Sequence, residues 1–251
     1  MIIEELLIQP VNQGMQLVPP SEANTHLHRV KDILHFPINV FFQYPGGIIA
    51  HCNEHTFLSI QGKELGYYSH HDLEGKKFEE YVTKESANNF INADKKVLFT
   101  GHMHILEEEG ILLHNNLLLS TLSFKFPCYL NKDKSPFIFG LSIVLDKTVS
   151  ASGISLADGL QYILRLGLLP SSGNASGKIQ LYFQREIQGV HITKKQYECL
   201  TLATQGMTAK KIAMRLGISF RTVERHFENL KHRLNVKSKS ELIEKFIHHF
   251  F

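Results

Sequence analysis

The chain has 251 residues, 43% hydrophobic and 20% charged, which is enough apolar material for one large core or two modest ones and too little charge for wholesale disorder. The net charge of +3 divides unevenly: residues 178–251 hold 14 Lys/Arg against 6 Asp/Glu, while residues 1–177 hold 13 against 18. A basic block at one end of an otherwise acidic chain suits a nucleic-acid module joined to something else, and no run approaches the ~18 apolar residues of a membrane span.

The opening MIIEELLIQP is acidic and lacks a basic stretch ahead of a long apolar core, so no secretory leader is expected. Cys52, Cys128 and Cys199 are widely spaced and form neither a disulfide framework nor a CxxC metal pair. A cytoplasmic location fits that cysteine usage.

Residues 1–32 are expected to form one or two helices, interrupted at Pro10, Pro19 and Pro20, with Ser21–Thr25 opening the second toward Leu34. Asn39–Tyr44 reads as a strand, Pro45-Gly46-Gly47 as a turn and Ile48–Asn53 as the returning strand. Short helical pieces follow, with Phe78–Asn92 expected to be helical. His102–Leu106, Ser120–Leu130 and Pro136–Leu145 then read as strands, the last two joined by a hairpin turn at 131–135. Residues 151–168 are expected to be a helix leading to a Gly/Ser-rich linker, 169–177.

Two strands, short helices and three further strands resemble a PAS domain over residues 33–149. The resemblance leans on Asn53 after the second strand, "HDLEGKKFEEY" in the helical middle and "STLSFKFPCYLNKDKSPFIFGLSIVLD" at the end. It implies a sensor that holds a small molecule between sheet and helices, or a dimerisation module. Asn53 is followed by Glu-His-Thr-Phe-Leu with no cysteine, which argues against flavin photochemistry. The chain has no Trp, which argues against an acyl-homoserine-lactone pocket, and Asp32, Asp72 and Asp94 do not sit where a phosphorylated receiver domain needs them.

Ten of the 15 histidines lie in residues 1–177. The pairs His51/His55, His70/His71 and His102/His104 are the candidate metal ligands, the last pair sharing a strand face if the strand begins at 102. None has full metal spacing with Cys or carboxylate, so neither a metal site nor a cofactor is expected. A haem, metal or redox sensor is the alternative. No nucleophile–base or paired-carboxylate constellation stands out, so catalytic residues are not expected and the chain does not read as an enzyme.

The last part reads as four helices. Thr193-Lys-Lys-Gln196 and Ser238-Lys-Ser-Glu241 are capping boxes, and Gly206 and Gly217 are placed to end helices. Phe220, Val223, Phe227, Leu230 and Leu234 form one helical stripe at spacings of 3, 4, 3 and 4. Two helices joined by Gly217-Ile218-Ser219 make a helix-turn-helix.

The string "ITKKQYECLTLATQGMTAKKIAMRLGISFRTVERHFENLKHRLNVKSKSEL" resembles the LuxR-type (NarL/FixJ-type) DNA-binding domain. The matching positions are Glu198, Gly206, Thr208, Ile212, Ala213, Leu216, Ser219, Thr222, Val223, His226, Asn229, Leu234 and Val236. Lys195-Gln196 replaces the usual Arg-Glu pair. Region 4 of a sigma factor shares the motif but needs a helical region upstream, which residues 33–150 do not offer.

The resemblance implies a recognition helix starting at Ser219. Glu224, Arg225 and Glu228 would face base edges, while Thr208, Lys210, Thr222 and Lys231 would meet phosphates and Arg221 would lie on the same outer face. Glu224 and Glu228 could instead pair with Arg225 or Lys231 along the helix. The last helix either pairs two copies or completes the core.

The expected fold class is α+β: an N-terminal PAS-like antiparallel sheet with flanking helices, and a separate all-α C-terminal four-helix domain. The expected divisions are a helical extension at 1–32, a sensor domain at 33–149, a connecting helix and linker at 150–189, and a DNA-binding domain at 190–251 with the helix-turn-helix near 207–226. The expected function is sequence-specific transcriptional regulation. Double-stranded DNA, a second copy of the chain, a small-molecule ligand and RNA polymerase are the candidate partners, and the membrane is not.

Overall fold

Apolar alternation builds the first hairpin. Leu6, Ile8, Met15 and Leu17 are all buried, at the period of two that a strand requires. They lie in or beside β1 (Leu7–Val11) and β2 (Gly14–Val18), which pair antiparallel with Ile8 opposite Leu17. The helices expected over residues 1–32 are therefore replaced largely by strands. A 3-10 turn at Ile3–Glu5 and another at Pro20–Glu22 are the helical features before residue 30 among the described residues. A short strand, β3 (His28–Arg29), pairs with β1, and α1 (Val30–Leu34) follows it.

This computed structural model describes residues 3–11, 14–22, 27–130, 136–145, 153–167 and 185–250. The hairpin turn read at 131–135 and the linker read at 169–177 lie outside them. The chain divides into two units, Met1–Pro170 and Ser171–Phe251.

In the first unit, β4 (Asn39–Tyr44) and β5 (Ile48–Cys52) form the expected hairpin. The short helix α2 (Glu54–Ser59), two 3-10 turns and the long α3 (Lys84–Thr100) follow. Helix α3 begins six residues later than the sequence suggested and stops at Gly101, whose φ of +67° is the left-handed cap that favours glycine. Three long strands close the sheet: β6 (His104–Leu112), β7 (Leu118–Leu130) and β8 (Phe137–Val144).

The central order is β5-β4-β8-β7-β6, every neighbour antiparallel. This is the PAS-like arrangement, with first and last strands of the module side by side in the middle. The N-terminal hairpin extends it, because β2 pairs parallel with the end of β7, Met15 opposite Cys128. Gly14 makes that junction feasible: its φ is +117°, and a Cβ there would overlap the Pro127 carbonyl.

Every residue of β8 is buried, so both sheet faces are covered. Helix α3 lies over one face. On the other, Phe42, Phe126 and Phe139 stack, with Phe139 centred 5.1 Å from Phe42 and 5.7 Å from Phe126. Helix α4 (Leu156–Arg165) packs on β8, burying Leu156, Leu160 and Ile163. Gly159 sets its approach, since a Cβ there would press on Ile143.

Asn53 joins these layers. Its side-chain oxygen caps α2 by accepting from the Thr56 amide at 3.0 Å and also accepts from the Val40 amide at 3.1 Å. Its amide nitrogen donates to the carbonyls of Leu34, Phe36 and Ile38.

The second unit opens with a two-stranded ribbon, β9 (Glu186–Ile187) and β10 (Val190–His191), which straddles the expected boundary at 189–190 where no strand was expected. Four helices follow as expected: α5 (Lys194–Thr204), α6 (Ala209–Leu216), α7 (Phe220–Arg233) and α8 (Lys239–Phe250). Ile187 and Ile192 join Leu200, Ile212, Val223, Phe227, Leu230, Leu242 and Phe246 in one core.

Candidate DNA-binding surface and ligand cavity

Each helix of the second unit starts on a residue suited to capping. Thr193 accepts from the Gln196 amide while the Gln196 side chain accepts from the Thr193 amide, the reciprocal box read from the sequence. Gln196 also donates to Asn229 at 3.2 Å, so it ties α5 to α7 where the family's usual Arg-Glu pair is missing. Lys195 pairs with Glu198 at 3.0 Å. Lys239 rests its ammonium 4.5 Å from the centre of the Phe227 ring.

Thr208 caps α6, and Gly217 ends it at φ +64°, donating its amide to Ala213. Ser219 then caps α7 by accepting from the Thr222 amide at 3.0 Å, and the two hydroxyls meet at 2.7 Å. Ala213 is buried where α6 meets α7. Caps, backbone bonds and the packing of Leu216 and Ile218 on the core hold the turn, which leaves the outer side chains of α7 for other work.

Arg221, Glu228, Ser219, Thr208 and Lys210 are exposed, while Thr222, Glu224, Arg225 and Lys231 are half-buried. Lys231 forms an ion pair with Glu228 at 2.8 Å, so the along-helix alternative holds for that glutamate. Among the described residues, neither Glu224 nor Arg225 makes such a pair. Two apolar side chains that the sequence reading did not place outward also lie on this surface, Met214 at 84% and Phe220 at 48% exposure. Phe220 begins the predicted apolar stripe but occupies the first position of α7, where the core does not reach it. In α8, Leu242 and Phe246 complete the core, whereas Ile247 is exposed.

His226 is buried in α7. Burial, reinforced by the charges of Arg225 and Lys195, holds its imidazole down at about 4 from the usual 6.5. The native state thus keeps it neutral while the unfolded chain takes up a proton below 6.5. Stability carried by this group is complete above pH 6.5 and falls by about 3 kcal/mol as the pH drops toward 4. His226→Gln should flatten the pH dependence of the denaturation midpoint over that window, whatever it does to the midpoint at pH 7.

In the first unit, a cavity of about 80 Å³ opens between the sheet and α3, walled by Phe41, Phe78, Tyr81 and Phe90. Its polar lining includes Gln43, whose buried side-chain oxygen has no hydrogen-bond partner. Lys125 also reaches it, fully buried, with its ammonium 2.8 Å from both Asp94 and Glu108. Burial opposes that charge, but the Glu108 and Asp94 carboxylates outweigh it and raise the lysine above its usual range. Burial pushes the Asp94 carboxyl up. Glu108 accepts in turn from Ser123 at 2.5 Å. No local pattern announces the triad, because Asp94 and Glu108 are 31 and 17 residues from Lys125 and meet it only when α3 and β6 close over β7.

Two of the three histidine pairs separate, while the His70 and His71 rings stay 4.0 Å apart. His102 lies in the turn before β6, so it does not share a strand with His104, whose ring bonds to Thr100 instead. His51 meets His71, not His55. Burial, with Glu74 and Glu54 nearby, pushes the Cys52 thiol up to about 12, and burial raises Cys128 as well, so neither is a ready thiolate.

Residues 190–246 match the family model described as bacterial regulatory proteins, luxR family. Over 53 residues the chain is 42% identical to the oxygen regulatory protein NreC of Staphylococcus carnosus and to that of Staphylococcus epidermidis. That match covers 21% of this chain and about a quarter, 24%, of the length of those relatives. Among solved structures, a Vibrio cholerae VqmA–ligand–DNA complex aligns over 90% of this chain and 91% of its own at 18% identity and a TM-score of 0.42. A PAS domain from Colwellia psychrerythraea aligns over 46% and 92% at 14% identity and a TM-score of 0.36. No helix among the described residues is long and apolar enough to cross a membrane. The capped turn, its outward cations and the family match agree: residues 190–246 are a luxR-family helix-turn-helix domain, and a PAS-like sheet domain precedes it in the chain.

Proposed function

We propose that this chain is a sequence-specific transcription regulator that grips duplex DNA with α7 in the major groove. The observation that carries the reading is the outer face of α7. Among the described residues Arg225 makes no ion pair, and it follows the capped turn at Ser219 and the exposed Arg221 along the helix. Arginine can reach guanine O6 and N7 with two hydrogen bonds, and Glu224 can accept from cytosine N4. Lys210, Thr208, Thr222 and Lys231 lie where phosphates would pass, and Phe220 can touch a thymine methyl. Two copies on one operator would place their recognition helices about one helical turn apart, which makes a homodimer the natural binding form. RNA polymerase would be the downstream contact.

The cavity supplies the proposed input. Its aromatic walls and single unpartnered amide oxygen suit a small planar molecule that donates a hydrogen bond. Occupancy would bias the arrangement of the two copies by as much as the ligand distinguishes the two states.

Fluorescence anisotropy on operator and random duplexes at several salt concentrations tests the output. Arg225→Ala should cost about 1–3 kcal/mol on the operator and narrow the gap to random DNA. Lys210→Ala should weaken both alike and reduce the salt slope by about one. Duplex binding indifferent to salt would defeat the reading, and identical behaviour of both variants would defeat the assignment of roles.

A further inference from the structure

We propose that His51, His71 and Glu74 form a binding site for a divalent transition metal ion, with zinc the best match to two imidazoles and one carboxylate. Their ligand atoms lie within 4.8 Å of one another. Glu74 Oε1 stands 2.6 Å from His51 Nδ1 and 3.2 Å from His71 Nδ1. Nitrogen and oxygen ligands at about 2.0–2.1 Å around a tetrahedral centre are separated by roughly 3.3 Å, so side-chain shifts on the order of 1 Å admit an ion.

The surroundings of His51 favour metal over a bare cluster, because its buried Nε2 has no hydrogen-bond partner. His51 is buried, and its second nitrogen, Nε2, faces Glu4 Oε1 at 3.4 Å. A neutral imidazole has one N–H, so without a metal one of the two carboxylates confronts a lone pair. A metal on Nδ1 with the Nε2 proton directed at Glu4 satisfies both, which is the carboxylate–histidine–metal relay that orients metal ligands elsewhere. A protonated His51 is the competing occupant.

The frame is already built. Asp72 accepts from the Tyr68 and Ser69 amides and shapes the turn that carries His71. Backbone bonds from Gly75 to Ile49 and from Ile49 to Lys76 fasten that turn to β5, which carries His51. His70 is held away on Glu54 at 3.0 Å. The fourth position opens into a cleft of about 550 Å³ that Tyr44, Pro45 and Phe137 help to line, so water or a coordinating small molecule can complete the shell.

The site belongs to the first unit, not to the helix-turn-helix domain, and stands whether or not the DNA reading does. Calorimetric titration of zinc into chelator-treated full-length protein tests it, with cobalt absorption as a second readout of ligand geometry. One zinc per chain is expected. His71→Gln and Glu74→Gln, both at partly exposed positions that folding tolerates, should each weaken binding by more than about tenfold. They should also abolish the rise in melting temperature that zinc produces. His248→Gln, in α8 of the other unit, should bind as the wild type does. No zinc uptake by the wild type, or uptake unchanged in His71→Gln and Glu74→Gln, overturns the proposal.

Discussion

Lys125→Met should destabilise the protein by about 3–5 kcal/mol, the usual cost of removing one member of a buried ionic group. The methionine fills similar volume, so the loss is electrostatic. It strands Asp94 and Glu108, which are held together by the ammonium 2.8 Å from each. One carboxyl must then take up a proton. Because its folded-state value would lie above its unfolded one, the penalty should shrink as the pH falls and grow as the pH rises through the raised value. Urea denaturation of the full chain at pH 5 and pH 8 checks both the size and the sign. Replacing all three members with Met, Leu and Gln should recover much of the stability. A midpoint for Lys125→Met equal to that of the wild type would mean that the triad is wet, and the cavity with it.

Asn53→Ala is the second large effect, expected at about 3 kcal/mol. The change uncaps α2 and also strands buried backbone groups from Leu34 to Val40. Asn53→Asp separates the two roles. It keeps the cap but turns an oxygen toward the Leu34, Phe36 and Ile38 carbonyls, so it should be at least as damaging as alanine. If aspartate proves neutral in denaturation experiments, capping is the whole contribution of this residue.

The helix-turn-helix was legible residue by residue because its signals are local. Thr193, Thr208 and Ser219 each cap within three residues, Gly217 needs only its own backbone angle, and the stripe from Val223 to Leu230 follows from one helical period. The reading failed where an apolar period was too short to separate strand from helix. Over residues 1–32, apolar residues broken at Pro10, Pro19 and Pro20 suggested interrupted helices. The alternation of Leu6 with Ile8 and of Met15 with Leu17 was the usable signal, and Gly14 was the other. Phe220 was drawn into the core because a stripe marks which side faces inward but not how far the core extends.

Functional side chains in the first unit were harder to see. Thr121, Ser123 and Lys125 alternate with Leu122, Phe124 and Phe126, which in isolation describes a strand with one wet face. Helix α3 covers that face, so the polar residues become the lining of a cavity and the lysine becomes the centre of a buried triad. His51 and His71 are likewise 20 residues apart, and their pairing depends on a turn folded back on β5.

The sequence alone determined the α+β class, the five-strand order of elements, the basic C-terminal module and the positions of its caps and recognition helix. Each of those rests on interactions spanning a few residues or on a simple count of charge. The tertiary structure alone decided the N-terminal hairpin's place beside β7, the buried lysine triad, the cavity and the histidine–glutamate cluster. Those depend on which distant surfaces close over one another, and the free energy of burial that selects that closure is summed over the whole core, with no single segment carrying its signature.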